Sequence, residues 1–263
     1  MLSYQHGYHA GSAADVHKHA ALAVILAKLI TKNKPLHYLE THAGCGIYDL
    51  KSAAAQKTQE ASEGILKLLA ADKIPNNHPY FQAMQLTQSL YGQNYYPGSP
   101  WVAKSLLRDS DQMYLMELHP QEYLTLKNNI KAENIHIHKR DGYEGVLAIA
   151  SPIMRRGLVF IDPSYEVKTE YAQAAEFIIK LHQKWSGAVI LAWYPLLDAK
   201  YHQQLCNLLL KTALPKFWQQ EVFFKEIQPS GIRGSGLICI NLPFGIEESL
   251  AKNIQLGKNC IFS

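Results

Sequence analysis

Residues 162–165, Asp-Pro-Ser-Tyr, follow the apolar run 157–161 and have side chains that can act on an aromatic amine. The amino group of a nucleobase is a poor nucleophile, because its lone pair is delocalised into the ring. The carboxylate of Asp162 and the carbonyl of Pro163 can accept both N–H bonds, which aims that lone pair at an electrophilic methyl group. Asp162 can then take the released proton, and Tyr165 offers a stacking face to a base that has left its own stack. The alternative interpretation is a type I turn with Asp first and Pro second.

Three more groups of residues stand at the ends of predicted strands, where an open α/β sheet binds its ligand. The first is a turn with Gly44 and Gly46, and the second is Glu117, which can accept hydrogen bonds from ribose hydroxyls. The third is Asp141-Gly142, in which Asp141 can hydrogen-bond an adenine edge. Asp49 stands where the dinucleotide motif GxGxxG has its third glycine, so the turn favours a cofactor without a pyrophosphate.

Each of these groups also has a purely structural alternative. The glycines can form an ordinary tight turn, Glu117 can be an acid at the start of a helix, and Asp-Gly is a common turn pair. Their shared position at the ends of three successive strands favours the functional interpretation.

Two kinds of segment alternate along the chain and must position these residues. Short apolar segments predict strands at 36–41, 112–118, 135–139, 157–162, 187–194, 220–227 and 236–242. Helical periodicity and capping residues predict helices at 13–33, 60–71, 80–92, 100–108, 120–132, 143–150, 169–184 and 198–212.

The connections predict an α/β fold with a seven-stranded, mainly parallel sheet and helices on both faces. Residues 228–235, which join the last two strands, are too few for a parallel crossover, so we expect the final strand to run antiparallel. The first two strands are separated by far more chain than one crossover needs. We therefore expect a single domain over residues 1–263 with a small helical subdomain inserted at about 50–95.

Composition narrows the class of protein further. The chain has 263 residues, of which 48% are hydrophobic and 18% charged, so it is globular rather than disordered. Its net charge of +4 permits an anionic partner without demanding one. The four cysteines form no CxxC pair, so we expect reduced thiols and no metal site. Two pairs of histidines stand two residues apart, His17 with His19 and His136 with His138, and we do not expect either pair to bind a metal. No signal peptide or membrane-spanning run is evident, and we expect a cytoplasmic monomer.

The chain resembles a known family along nearly its whole length. The motif at 162–165 is similar to the [DNS]PP[YFW] hallmark of S-adenosylmethionine-dependent methyltransferases that act on amino groups. Together with it, several other segments resemble the RlmJ family of 23S ribosomal RNA adenine-N6-methyltransferases. These are SYQHGYHAGSAADVHKH (3–19), THAG (41–44), YYPGSP (95–100), ELHP (117–120), DGY (141–143), RRGLVFIDPSY (155–165), WYP (193–195) and SGLICINLP (235–243).

The resemblance implies a Rossmann-like class I methyltransferase fold, S-adenosylmethionine as cofactor and ribosomal RNA of the large subunit as partner. It implies that the target adenosine flips out and that N6 attacks the methyl group. It implies a catalytic motif of Asp162, Pro163 and Tyr165, and contacts of Tyr4 and Lys18 with RNA. The residues that it places around the cofactor are His19, His42, Gly44, Ser99, Glu117, Asp141, Gly142 and Asp162.

The chain departs from the family pattern at two places, and three alternatives to this function stay open. Ser164 stands where the hallmark has its second proline, and Ser12-Ala13 stand where the family often has Asn-His. The alternatives are a methyltransferase for DNA adenine, a non-catalytic RNA-binding relative and a nicotinamide oxidoreductase. The missing third glycine and the antiparallel last strand argue against the oxidoreductase.

Overall fold

The computed structural model of the chain describes residues 4–72, 74–151, 153–226 and 231–263. Its nine strands are β1 (His37–Glu40), β2 (Ile47–Asp49), β3 (Tyr95–Pro97), β4 (Gln112–Met116), β5 (Ile135–His138), β6 (Gly157–Ile161), β7 (Val189–Leu196), β8 (Trp218–Phe223) and β9 (Gly234–Ile240). Its ten α-helices are α1 (Ala13–Ile30), α2 (Ala53–Thr58), α3 (Ile65–Ala70), α4 (Pro79–Tyr91), α5 (Ser99–Leu106), α6 (Pro120–Asn129), α7 (Gly142–Ile149), α8 (Glu170–Lys184), α9 (His202–Lys211) and α10 (Glu247–Gly257).

Seven strands form one sheet in the order β5-β4-β1-β6-β7-β9-β8. The pairs from β5 to β7 are parallel, whereas β9 runs antiparallel to both of its neighbours. The expected antiparallel last strand is therefore confirmed, although four residues of the connection that predicted it, 227–230, lie outside the described residues. The sheet reverses its strand order beside β1, so the carboxyl ends of β1, β4 and β6 border one crevice.

The central strands are buried on both faces, which explains why their sequences are continuously apolar. All five residues of β6 and all eight of β7 are buried. Helices surround the sheet: α1 packs against α4, α5 and α10, and α8 packs against α7 and α9. The expected class I methyltransferase architecture, a mainly parallel sheet with one antiparallel strand between helices, is confirmed.

Some predicted boundaries differ from the structure. Strands β8 and β9 begin two residues earlier than predicted, and residue 227, the predicted end of β8, is not described. The sequence did not predict helices α2 and α10, nor the separate two-stranded antiparallel sheet of β2 and β3. Helices α2, α3 and α4 lie between β2 and β3 in the chain, within the segment predicted as an inserted subdomain. None of the helices in the described part of the chain is long and apolar enough to cross a membrane.

Candidate active site

Two cavities adjoin at the carboxyl ends of the central strands. The first, of about 280 Å³, lies over β1, β4 and β6, and the second, of about 270 Å³, lies over β6 and β7. Their walls share four residues, Tyr4, His6, Ser164 and Glu166. The first cavity is lined by all eight residues expected around a cofactor, namely His19, His42, Gly44, Ser99, Glu117, Asp141, Gly142 and Asp162, together with Pro163. The second cavity is lined by Lys18, Tyr165 and Trp193, among others.

Glu117 joins the end of β4 to the glycine turn after β1. One carboxylate oxygen accepts the backbone N–H of Gly44 at 2.7 Å, and the other accepts that of His119 at 2.7 Å. Gly44 has a φ of +57°, and a Cβ there would lie 2.2 Å from the Tyr48 hydroxyl. Burial raises the pKa of Glu117, although the two backbone N–H groups act in the opposite direction. The carboxylate is thus held in place and keeps lone pairs for a ligand with hydroxyl groups.

Asp141 and Gly142 form the next edge of the first cavity. Asp141 caps α7, since one of its carboxylate oxygens accepts the backbone N–H of Glu144 at 2.9 Å. The other oxygen makes no hydrogen bond among the contacts of the described residues. A Cβ on Gly142 would lie 2.0 Å from the carbonyl oxygen of Thr41, so only glycine allows α7 to approach β1 this closely. The structural interpretation of this pair is therefore confirmed, and its contact with a ligand stays a prediction.

A buried carboxyl group lies beneath the first cavity, at the end of β1. Glu40 is fully buried and accepts hydrogen bonds from the hydroxyls of Tyr38, at 2.8 Å, and Ser99. Burial raises the pKa of Glu40 to about 8, against the opposing effect of these two donors. Ser99 is the first residue of α5, so this contact fixes the start of that helix against the sheet.

Two neutral histidines also line the first cavity. Burial lowers the pKa of His19 to about 3 and that of His42 to about 4. His42 holds the side chain of Thr41 at 2.8 Å through Nδ1, and its ring packs edge-on against Tyr143. Both rings are therefore uncharged near neutral pH.

A chain of charged groups connects the two cavities. The Lys18 ammonium is 2.6 Å from Asp162 and 2.9 Å from Asp15. Asp15 also pairs with His6 at 3.0 Å and accepts the backbone N–H of Gly11 at 2.9 Å. Burial alone would lower the pKa of Lys18, but the two carboxylates raise it above its usual value. The contact of Lys18 with RNA that the resemblance implies stays a prediction. The ammonium itself is buried between two carboxylates, which repel a phosphate.

Aromatic side chains form the wall of the second cavity. The ring of Tyr165 stacks on Tyr171, with 4.4 Å between centroids, and its hydroxyl donates to the carbonyl of Trp193 at 2.8 Å. The ring is only 6% exposed, so one face is already covered by protein. Stacking of a base on Tyr165 stays a prediction, limited to the surface that lines the cavity.

Sequence reasoning missed three residues of this site. Trp193 lies within β7, and the Lys18 ammonium is 5.0 Å from the centroid of its ring. Its WYP segment matched the family, and that match was the signal that this residue belongs to the site. Asp15 and His6 were also missed, although both lie in the N-terminal segment that carried the resemblance. The hydroxyl of Tyr4, which was expected to contact RNA, lies 2.8 Å from Nδ1 of His6, and Tyr4 borders both cavities.

The fold and the site define a class I methyltransferase that uses S-adenosylmethionine. The residues present fit this cofactor: the glycine turn leaves room for close approach, Glu117 offers oxygens for ribose hydroxyls, and Asp141 keeps one free oxygen. When bound, the cofactor supplies a methyl group on a positively charged sulfur. In the described parts of the chain, no group of three or more His, Cys, Asp or Glu side chains is arranged to hold a metal ion.

Comparison with known proteins gives the particular family. Residues 33–258 match the family described as Ribosomal RNA large subunit methyltransferase D, RlmJ, and the chain belongs to that family. It is 35% identical to Ribosomal RNA large subunit methyltransferase J of Escherichia coli (strain K12) over 253 residues, which cover 95% of this chain and 90% of the relative. The Haemophilus influenzae protein of the same name is also 35% identical, over 254 residues and with the same coverage.

A solved structure has the same fold. Protein LPL1258 of Legionella pneumophila superposes with a TM-score of 0.85 at 34% sequence identity, and the match covers 96% of this chain and 94% of that one. Membership of this family rejects the nicotinamide oxidoreductase alternative.

Proposed function

We propose that this protein transfers the methyl group of S-adenosylmethionine to N6 of an adenosine in large-subunit ribosomal RNA, as a cytoplasmic monomer. The observation that carries the proposal is the position of Asp162. Its carboxylate lines the first cavity, where the cofactor fits, and pairs at 2.6 Å with Lys18 in the wall of the second. The names of the two curated relatives, both ribosomal RNA large subunit methyltransferases, support the choice of substrate.

Asp162 and Pro163 position the amine that is to be methylated. The carboxylate and the neighbouring carbonyl accept its two N–H bonds, so that the nitrogen lone pair is directed toward the first cavity. The glycine turn and Glu117 would hold the cofactor, which would supply the methyl group, and Asp162 accepts the proton that the nitrogen loses. Most of the rate acceleration comes from this placement rather than from covalent chemistry by the protein.

Lys18 acts on Asp162 and not on the RNA backbone. Its ammonium lies 2.6 Å from the Asp162 carboxylate and holds that carboxylate in one orientation. Asp15, which is itself paired with His6, holds the ammonium from its other side, so Lys18 stays in place when Asp162 accepts a proton. The base itself lies in the second cavity, between Trp193, Tyr165 and Tyr4.

A methylation assay with three substrates tests the proposal. The protein is incubated with S-adenosylmethionine carrying a labelled methyl group and with large-subunit ribosomal RNA, small-subunit ribosomal RNA or duplex DNA. Digestion to nucleosides and mass spectrometry should find label in N6-methyladenosine from the large-subunit RNA alone. Label in the DNA would favour the DNA methyltransferase, and cofactor or RNA binding without any transfer would favour a non-catalytic relative.

A further inference from the structure

Two buried tyrosines connect the segment predicted as a helical insertion to the first cavity. Tyr80 lies in α4 and Tyr96 in β3, and their hydroxyl oxygens are 3.0 Å apart. The Tyr96 hydroxyl also lies 2.9 Å from Nδ1 of His19, which is in α1. All three side chains are at most 1% exposed, so this chain of hydrogen bonds is shielded from water throughout. We propose that Tyr80 and Tyr96 are positioning residues that fix His19 in one tautomer, with its proton on Nε2, for a cofactor bound in the first cavity.

The direction of the chain follows from the number of donors and acceptors. A neutral imidazole has one N–H donor and one acceptor nitrogen, and each tyrosine hydroxyl has one proton. If Tyr80 donates to Tyr96 and Tyr96 donates to Nδ1, both hydroxyl protons are used. In the reverse direction the Tyr80 proton would have no acceptor among the contacts of the described residues. A buried donor without a partner costs about 1–3 kcal/mol, so the first direction is favoured.

The charge beside the other ring nitrogen favours the same direction. Nε2 of His19 lies 4.0 Å from a carboxylate oxygen of Asp15. His6 and Lys18 hold the pKa of Asp15 well below its usual value, although burial acts to raise it, so the carboxylate is ionised. An anion stabilises an N–H at this position and destabilises a lone pair. The distance exceeds that of a hydrogen bond, so the proton remains available to a ligand.

The consequence concerns what His19 presents to the first cavity. Since Nδ1 is taken by Tyr96, Nε2 is the polar ring atom left for a ligand, and it is a donor. The cofactor has acceptor oxygens in its carboxylate and its ribose, and this donor suits them. This inference rests on the proposed function, because it assigns the two tyrosines a purpose in cofactor binding.

Replacement of each tyrosine by phenylalanine gives a sharp test, because only one oxygen atom is removed and no cavity is created. Calorimetric titration with S-adenosylhomocysteine should show about tenfold weaker binding for Tyr96→Phe, and a smaller loss for Tyr80→Phe. Tyr194→Phe is the matched control. Tyr194 is fully buried, and its hydroxyl also makes two hydrogen bonds, to Glu221 and Gln219, but it lines neither cavity. Its affinity for S-adenosylhomocysteine should equal that of the unchanged protein.

A second measurement reads the tautomer directly. In long-range ¹⁵N–¹H spectra of the histidine rings, with His19 assigned from a His19→Gln variant, Nδ1 should be unprotonated and Nε2 protonated. In Tyr96→Phe the two nitrogens should move toward a mixture. A protonated Nδ1 in the unchanged protein, or equal affinities of Tyr96→Phe and Tyr194→Phe, would overturn the inference. Failure of the unchanged protein to bind S-adenosylhomocysteine would instead reject the proposed function, and the spectra would still decide the tautomer.

Discussion

Lys18 and Asp162 form a buried ion pair of 2.6 Å although 144 positions separate them in the sequence. The pair joins α1 to the loop after β6, and with Asp15 it places one ammonium between two carboxylates. The site therefore depends on a contact between the N-terminal helix and the centre of the sheet. Four predictions follow from this arrangement and from the groups around it.

The Asp162→Asn variant should retain its fold and lose methyl transfer. The amide keeps the size of the side chain, and Lys18 keeps Asp15 as its counter-ion, but the proton acceptor is gone. Loss of a general base lowers the rate by about 10²–10⁴-fold. Initial rates on large-subunit RNA measure the effect, with the exposed Asp198→Asn as control. A variant that retains more than about a tenth of the rate would show that this carboxylate is not the proton acceptor.

The Lys18→Met variant should be less stable. Removing the ammonium leaves Asp15 and Asp162 without their shared cation, and breaking a buried ion pair in this way costs about 3–5 kcal/mol. Urea denaturation measures the free energy of unfolding. The comparison is Lys252→Met, which breaks the exposed pair with Glu248 and should cost no more than about 1 kcal/mol. Equal losses in the two variants would contradict the structural importance of the buried pair.

The Glu117→Gln variant should bind S-adenosylhomocysteine at least about tenfold more weakly. The carboxylate accepts the backbone N–H groups of Gly44 and His119 with different oxygens, whereas an amide has only one acceptor oxygen and turns its NH₂ group toward one of these donors. The glycine turn then loses a contact, and the ligand loses a charged acceptor. Calorimetric titration gives the dissociation constant, and Glu144→Gln, an exposed change in α7, serves as control. Unchanged affinity would remove Glu117 from the cofactor site.

Stability should depend on pH through Glu40. Its folded-state pKa of about 8 lies above its ordinary value of 4.5, so the folded protein binds more protons than the unfolded chain between these values. The contribution of Glu40 to stability is therefore greatest below about pH 4.5 and is lost as the pH rises toward 8. The Glu40→Gln variant removes this dependence.

Urea denaturation at pH 5 and pH 8 measures the effect. The stability of Glu40→Gln relative to the unchanged protein should increase from the lower pH to the higher. If the two proteins keep a constant difference in unfolding free energy, Glu40 is ionised in the folded state and the raised pKa is wrong.

The central sheet could be predicted from the sequence because its strands are short, apolar and bounded by turn residues. The two-stranded sheet of β2 and β3 could not be predicted, because each strand has only three residues and Tyr48 pairs with Tyr96, far along the chain. Helix α10 was missed although it carries a readable signal, with Glu247 and Glu248 in its first turn and Leu250 and Ile254 four residues apart.

For the site, motifs indicated which side chains border the crevice but not what they contact. No sequence pattern indicates that Lys18 is enclosed by two carboxylates, because Asp15 and Asp162 lie in distant segments of the chain. Nor does any pattern indicate that Tyr171 covers one face of Tyr165. Contacts between distant segments depend on tertiary packing, and they decide the charge and the accessible surface of each group.

The packing of α1 against α10 has a consequence for the order of folding. The helix that carries Asp15, Lys18 and His19 contacts residues 247–257, which lie far along the chain. A contact between such distant segments forms only after a long loop has closed, which is slow compared with local pairing. The side chains of α1 that line the two cavities therefore reach their final positions only when most of the chain has folded.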